Sequence, residues 1–160
     1  MGEGFKVQHQ SPILISYLYN LGDECTALTG GWSNTYTQFG GVYTENADNL
    51  YLSASGTNFK KQASFANLID LTNYSYLKID WGYTASSSGG FVKLCVDTQN
   101  TASMESASVR LEHTGSSSTR IIESIDVSSI NGLRYVGLYV QTWSSSYQAN
   151  LSAYKMWLEV

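Results

Sequence analysis

The stretch "YLKIDWGYTASSSGGFVKLCVDT" (residues 76–98) decides the fold class. In its first run Leu77, Ile79, Trp81 and Tyr83 fall on one side, and Tyr76, Lys78 and Asp80 on the other. In its last run Val92, Leu94 and Val96 oppose Phe91, Lys93, Cys95 and Asp97. Alternation with period two is the pattern of a strand with one buried face. The Ser- and Gly-rich segment between the runs supplies turn conformations and local hydrogen bonds.

The same pattern continues outward along the chain. "SVRLEH" (108–113) sets Val109 and Leu111 against Arg110 and Glu112. "RYVGLYVQTW" (134–143) sets Val136, Leu138 and Val140 against Tyr135, Tyr139, Gln141 and Trp143. "YKMWLEV" (154–160) sets Tyr154, Met156, Leu158 and Val160 against Lys155, Trp157 and Glu159. No long segment carries the 3.6-residue period of an amphipathic helix. Strand-like runs separated by Gly, Ser, Asn and Asp clusters predict an all-β fold, an antiparallel jelly-roll β-sandwich of two sheets. Residues 1–12 read as a lead-in or first strand, with Pro12 suited to an edge, and 13–160 as one β-sandwich domain. Leu77, Ile79, Val92, Leu94, Val136, Leu138 and Val140 are expected in one core. Leu133 has the opposite parity to Val136, which places a bulge near Tyr135 or Gly137.

Two segments repeat a local device. "IDLTNYSYLK" (69–78) and "IDVSSINGLR" (125–134) each put an Asp two residues before a Thr or Ser. Asp70 with Thr72, and Asp126 with Ser128, can fix a turn by bonding nearby backbone N–H groups. Both read as sandwich corners, with Tyr74 and Ile130 plugging the core beneath them.

Composition narrows the function. The 160 residues carry a net charge of −4 and only 14% charged side chains, with 4 Trp, 12 Tyr and 5 Phe. The Lys and Arg are scattered, so neither nucleic acid nor an anionic membrane is an expected partner. An uncharged polar surface rich in Tyr and Ser suits work outside the cytosol, and equally suits a β-rich domain of any location. Cys25 and Cys95 are expected not to be bonded to each other. His9 and His113 stand alone without metal-ligand spacing. Asp23 and Glu24, with Glu159, could contribute oxygens to calcium, but a plain acidic turn is the favoured reading, so no metal or cofactor is expected.

No nucleophile elbow, P-loop, zinc-protease or dinucleotide motif is present. His113 reads as a solvated strand-end residue, and the chain is expected not to be an enzyme. Aromatics are the richer signal. Sugar rings stack on flat aromatic faces while their hydroxyls bond polar side chains. The faces opposite the core stripes hold Tyr76, Lys78, Asp80, Tyr135, Tyr139, Gln141 and Trp143, which form one surface if their strands are neighbours; packing of Tyr and Trp within and across strands, with no ligand, is the favoured reading of these faces. A second candidate is "TALTGGWSNTYTQFGGVYT" (26–44), where glycine pairs bracket a loop with Trp32, Asn34 and Tyr36. That loop reads first as a wide turn and second as a sugar-binding lip. It contains no charged group, which speaks against acid–base chemistry there.

"IDLTNYSYLKIDW" resembles the D-L-S/T-x-Y-x-x-L corner of jelly-roll carbohydrate-binding modules, and "YVGLYVQTW…SAYKMWLEV" resembles their last two strands. "YLYNLGDECTALTGGW" is similar to small β-sandwich modules of phage and prophage tail and baseplate proteins. The likeness spans about residues 15–160. It implies a jelly roll, often a glycan or cell-surface ligand and sometimes a structural calcium, and it carries over no site residues. The expected function is therefore non-catalytic binding of a glycan or cell-surface polysaccharide. The chain would be an accessory module of a larger phage-tail or secreted protein, extracellular or virion-associated, with other chains of a tail or surface assembly as further candidate partners. The alternative is a structural or protein-interaction β-sandwich of a phage tail or baseplate with no small ligand.

Overall fold

The computed structural model describes residues 15–20, 34–38, 41–55, 60–64, 69–98, 105, 107, 109–117 and 119–160. These form β1 (Ile15–Asn20), β2 (Asn34–Gln38), β3 (Val42–Glu45), β4 (Leu50–Ser55), β5 (Lys60–Ser64), β6 (Ile69–Asp70), β7 (Tyr76–Ala85), β8 (Gly90–Asp97), β9 (Val109–His113), β10 (Ile121–Asp126), β11 (Leu133–Thr142) and β12 (Gln148–Glu159). Two antiparallel sheets pack face to face as a β-sandwich. The first runs β10–β7–β12–β4–β3, with β1 also on β12. The second runs β2–β5–β11–β8–β9, with β6 also on β11. Strand β12 gives one edge to β7 and divides the other between β4 and β1. Among the described residues no helix is long and apolar enough to cross a membrane.

The apolar stripes meet between the sheets. Leu77, Ile79, Val92, Leu94, Val136, Leu138 and Val140 are all fully buried there, as the alternation predicts, together with Leu50, Leu52, Leu151 and Met156. The register of β11 with β8 runs unbroken from Tyr135 to Thr142, so the expected bulge near Tyr135 or Gly137 is not there. Leu133 simply points outward, 52% exposed, at the stretch of β11 that β6 pairs. The bulge sits instead in β12, where the register with β7 shifts between Ala153 and Lys155. The extra residue, Tyr154, reverses the parity of the strand. Ala149, Leu151 and Ala153 face the core before it, and Met156 and Leu158 after it. Tyr154 therefore leaves the Met156–Leu158 stripe to which simple alternation assigned it.

Both corners form as expected. Asp70 Oδ1 accepts from the Thr72 N–H (3.0 Å) and hydroxyl (2.6 Å), and Asp126 Oδ1 from the Ser128 N–H (2.9 Å) and hydroxyl (2.6 Å). The fully buried plugs are Leu71 and Val127, while Tyr74 and Ile130 pack only partly against the core. At the opposite end Gly90 closes a tight approach: a Cβ there would lie 2.5 Å from the Gln148 carbonyl oxygen.

In the second sheet β8 and β11 are covered on their outer side as well. Ala107 packs with Cys95 and Tyr139, and Lys93 Nζ donates to the Glu105 carbonyl (3.1 Å) and pairs with Glu112 (2.9 Å). Consequently β11 is buried on both faces from Val136 to Thr142. Burial also pushes the Cys95 thiol up to about 12. Cys25, Asp23 and Glu24 lie outside the described residues, as do residues 1–12.

Candidate functional site

Alternate residues of the first sheet that do not face the core emerge on its outer side. Register sets them in rows. Gly82 of β7, Ser152 of β12, Tyr51 of β4 and Thr44 of β3 form one row. Thr84, Asn150, Ser53 and Val42 form the next. Small side chains in the middle of these rows leave a groove of about 260 Å³, lined by Tyr51, Gly82, Thr84, Ser117, Asn150, Ser152 and Tyr154, with Tyr83 and Leu151.

Each wall is held by named contacts. The Tyr51 hydroxyl reaches Asn150 Oδ1 at 3.4 Å. The Arg120 guanidinium lies over the Tyr154 ring, 4.1 Å from its centroid. A fork to Asp80 fixes that guanidinium, with Nε on Oδ1 at 2.6 Å and Nη2 on Oδ2. The Asp80 hydrogen bond, chiefly, raises Arg120 above its ordinary pKa. Ser117 is pinned to β7: its Oγ accepts the Tyr83 N–H at 2.9 Å, and its own N–H donates to the Tyr83 carbonyl at 3.0 Å. The loop that carries it turns at Gly115, whose φ of 95° favours glycine.

The groove thus offers phenol rings, hydroxyls and one amide. Among the described residues its lining holds no carboxylate and no histidine, so no side chain there is placed for acid–base chemistry at ordinary pH. The arrangement can stack on an apolar ring face and hydrogen-bond its substituents.

The sequence-nominated residues fall in several places. Tyr76, Lys78 and Asp80 lie on this outer face, further along β7. Tyr76 is 43% exposed, Lys78 is paired with Glu159 at 2.7 Å, and Asp80 is engaged by Arg120. Glu159 also accepts from Trp157 Nε1 at 2.7 Å, and these bonds, that of Lys78 first, hold its carboxyl below the usual range. Tyr135, Tyr139, Gln141 and Trp143 do not join Tyr76, Lys78 and Asp80 in one surface, because β7 and β11 belong to different sheets. Tyr139 and Gln141 are buried, with the Tyr139 hydroxyl donating to Gln141 Oε1 at 2.9 Å, rather than displayed to solvent. Trp143, half exposed, follows β11 at the sandwich end, its N–H on the Gly89 carbonyl. Asn34 and Tyr36 lie in β2, so this part of the bracketed segment is a strand and not a loop tip. Tyr36 is in register with Gln62 of β5, and Gln62 with Tyr139. Trp32 lies outside the described residues.

His113 is not a solvated strand end. It is half-buried between the sheets, with Nε2 3.0 Å from Glu123 Oε2 and its ring stacked on Tyr83. Sequence reasoning missed Tyr51, Gly82, Arg120, Asn150, Ser152 and Tyr154. The period-two run Asn150, Ser152, Tyr154 was the available signal, hidden by counting the phase of β12 from its far end.

No protein-family model and no curated protein matches the chain. Among solved structures it is similar to a variant of a family 29 carbohydrate-binding module, with 9% identity over 92% of each chain and a TM-score of 0.53. It is also similar to a family 29 variant complexed with cellulohexaose, with 9% identity over 92% of this chain and 91% of that one, and a TM-score of 0.51. The glycoside hydrolase domain of Endo-D from Streptococcus pneumoniae R6 matches with 13% identity, 79% of this chain, 20% of that chain and a TM-score of 0.52. At these identities the likeness is one of fold, the two-sheet antiparallel sandwich.

Proposed function

We propose that the chain is a non-catalytic carbohydrate-binding module whose ligand lies in the groove of the first sheet. The observation that carries this reading is the pair Tyr51 and Tyr154 lining a floor of Ser152, Thr84 and Asn150 on rigid strands. A sugar needs this combination: flat aromatic surface for its C–H faces, and hydroxyl and amide groups for its oxygens. Fold likeness to carbohydrate-binding modules, one of them complexed with cellulohexaose, supports the same reading. Of the residues nominated from sequence, Asp80 reaches the groove through Arg120, and Tyr76 and Lys78 extend the face beside it.

In this reading the protein works outside the cell or on a virion, as an accessory part of a larger secreted or phage-tail protein. The match to a fifth of the much longer Endo-D chain supports the accessory setting.

The test is calorimetric titration of a panel of oligosaccharides into the wild type, Tyr51→Ala, Tyr154→Ala and Trp143→Ala. The first two substitutions are expected to weaken binding by about 1 kcal/mol or more, and Trp143→Ala, just past a strand of the other sheet, to leave it unchanged. Loss of binding in Trp143→Ala alone would move the site to the second sheet. No binding by the wild type across the panel would leave the structural or protein-interaction role in its place.

A further inference from the structure

Glycine inside a strand weakens it, and its presence asks for a reason. Gly89 and Gly90 have one in crowding, since an added Cβ would fall 2.2 Å from the Tyr147 ring and 2.5 Å from the Gln148 carbonyl oxygen. Gly115 and Gly132 have one in their positive φ. Gly82, in the interior of β7, has neither. Its φ is not in the left-handed region, and a Cβ built on it would meet nothing within 4 Å. It pairs regularly with Ser152, and the nearby bulge adds its extra residue to β12, not to β7. The fold would accept a side chain at this position.

What a side chain at Gly82 would occupy is the groove. Gly82 lies in the floor beside Ser152, in the row that leads to Tyr51, with Tyr154 lining the same space. The charges that border the groove are committed to each other, Arg120 to Asp80. The lining side chains are phenols, hydroxyls, an amide and a leucine. Among the described residues the lining holds no cation, and the charge of Arg120 beside it is balanced by Asp80.

We infer that Gly82 is the specificity-determining residue of the groove, kept bare so that an uncharged pyranose ring can lie flat against the backbone of β7. This rests on the reading of the groove as a glycan site. Substituents on the ring then meet Thr84, Asn150 and Ser152, and ring contact with Tyr51 and Tyr154 supplies the stacking. Weaker binding of carboxylated or sulfated sugars follows from a lining without a cation and from the Asp80 carboxylate that balances Arg120.

The experiment compares the wild type with Gly82→Ala and Gly82→Leu, by thermal melting and by calorimetric titration with cello-, manno- and xylohexaose and with hexagalacturonate. Both variants are expected to melt no lower than the wild type, because strand interiors favour a side chain over glycine. Affinity for whichever neutral hexasaccharide binds should fall several-fold in Gly82→Ala and at least tenfold in Gly82→Leu. Hexagalacturonate should bind the wild type at least tenfold more weakly than that neutral ligand. A destabilised Gly82→Ala would show that the glycine serves the fold and overturn the inference. So would unchanged affinity in Gly82→Leu while Tyr154→Ala loses binding, an outcome that spares the groove as a glycan site. Preference for hexagalacturonate would overturn the neutral-ligand part. Absence of any binding by the wild type would remove the reading of the groove and this inference together.

Discussion

Asp70 and Asp126 perform the same task at two corners, and their neighbours in sequence dictate it. In each, one carboxylate oxygen accepts both the hydroxyl and the N–H of the residue two positions on. The hydroxyl bond first, and then the N–H bond, hold both carboxyls below their ordinary value of 3.8. A carboxyl with a depressed native pKa stabilises the fold fully above its unfolded value, and that contribution is lost as pH falls through the native one. The variant Asp70→Asn/Asp126→Asn is therefore expected to melt below the wild type at pH 7, with the gap closing as pH falls below about 4. Melting curves across that range check it, and a gap independent of pH would show that charge plays no part. These residues were legible because side-chain-to-backbone bonds at short range depend on local sequence alone. The bond from the Gly132 N–H to Thr72 Oγ1 at 2.9 Å, which ties one corner to the other, spans 60 residues and left no mark in the sequence.

Whole strands were legible wherever the alternation is continuous. β7, β8 and β11 keep their phase from end to end, so their stripes named the core correctly. Strand β11 offers a direct check with two leucines five positions apart. Leu138 is fully buried and Leu133 is 52% exposed. Leu138→Ala is expected to cost about 2–5 kcal/mol by urea unfolding, and Leu133→Ala to stay within about 0.5 kcal/mol of the wild type. Comparable losses at both would mean that the outer surface at Leu133 is covered in solution. Strand β12 was read only in part, because a bulge inserts one residue and no local signal announces it. The misreading had a functional consequence. Phase carried back from Leu158 sends Tyr154 into the core, whereas the bulge sets it with Asn150 and Ser152 on the outer face. The candidate site was hidden in the sequence because one of its aromatic walls depends on that extra residue.

At the scale of the molecule, sheet membership is set by pairings between strands far apart in the chain, which periodicity cannot reveal. That is why Tyr76, Lys78 and Asp80 were grouped with Tyr139 and Gln141 although they lie on opposite sheets. The same topology explains His113. Strands β9 and β10 are edges of the two sheets, and between them Glu123 Oε2 takes both Trp81 Nε1 at 2.8 Å and His113 Nε2 at 3.0 Å. Tyr83 closes the cluster, its ring 4.6 Å from the His113 ring and nearly parallel to it. Trp81 is fully buried, so its indole N–H needs an acceptor, and Glu123 supplies it. Removing the acceptor leaves the donor stranded, at a cost of about 1–3 kcal/mol. Glu123→Ala is accordingly expected to lose that much in urea unfolding. Glu123→Gln, which keeps an oxygen for Trp81, should lose less than half as much. Equal losses in the two variants would assign the effect to the charge facing His113 rather than to the indole bond. An unchanged Glu123→Ala would mean that apolar packing alone closes this edge. The answer bears on the groove, because the 114–120 segment that joins these two edge strands also carries Ser117 and Arg120 to its walls.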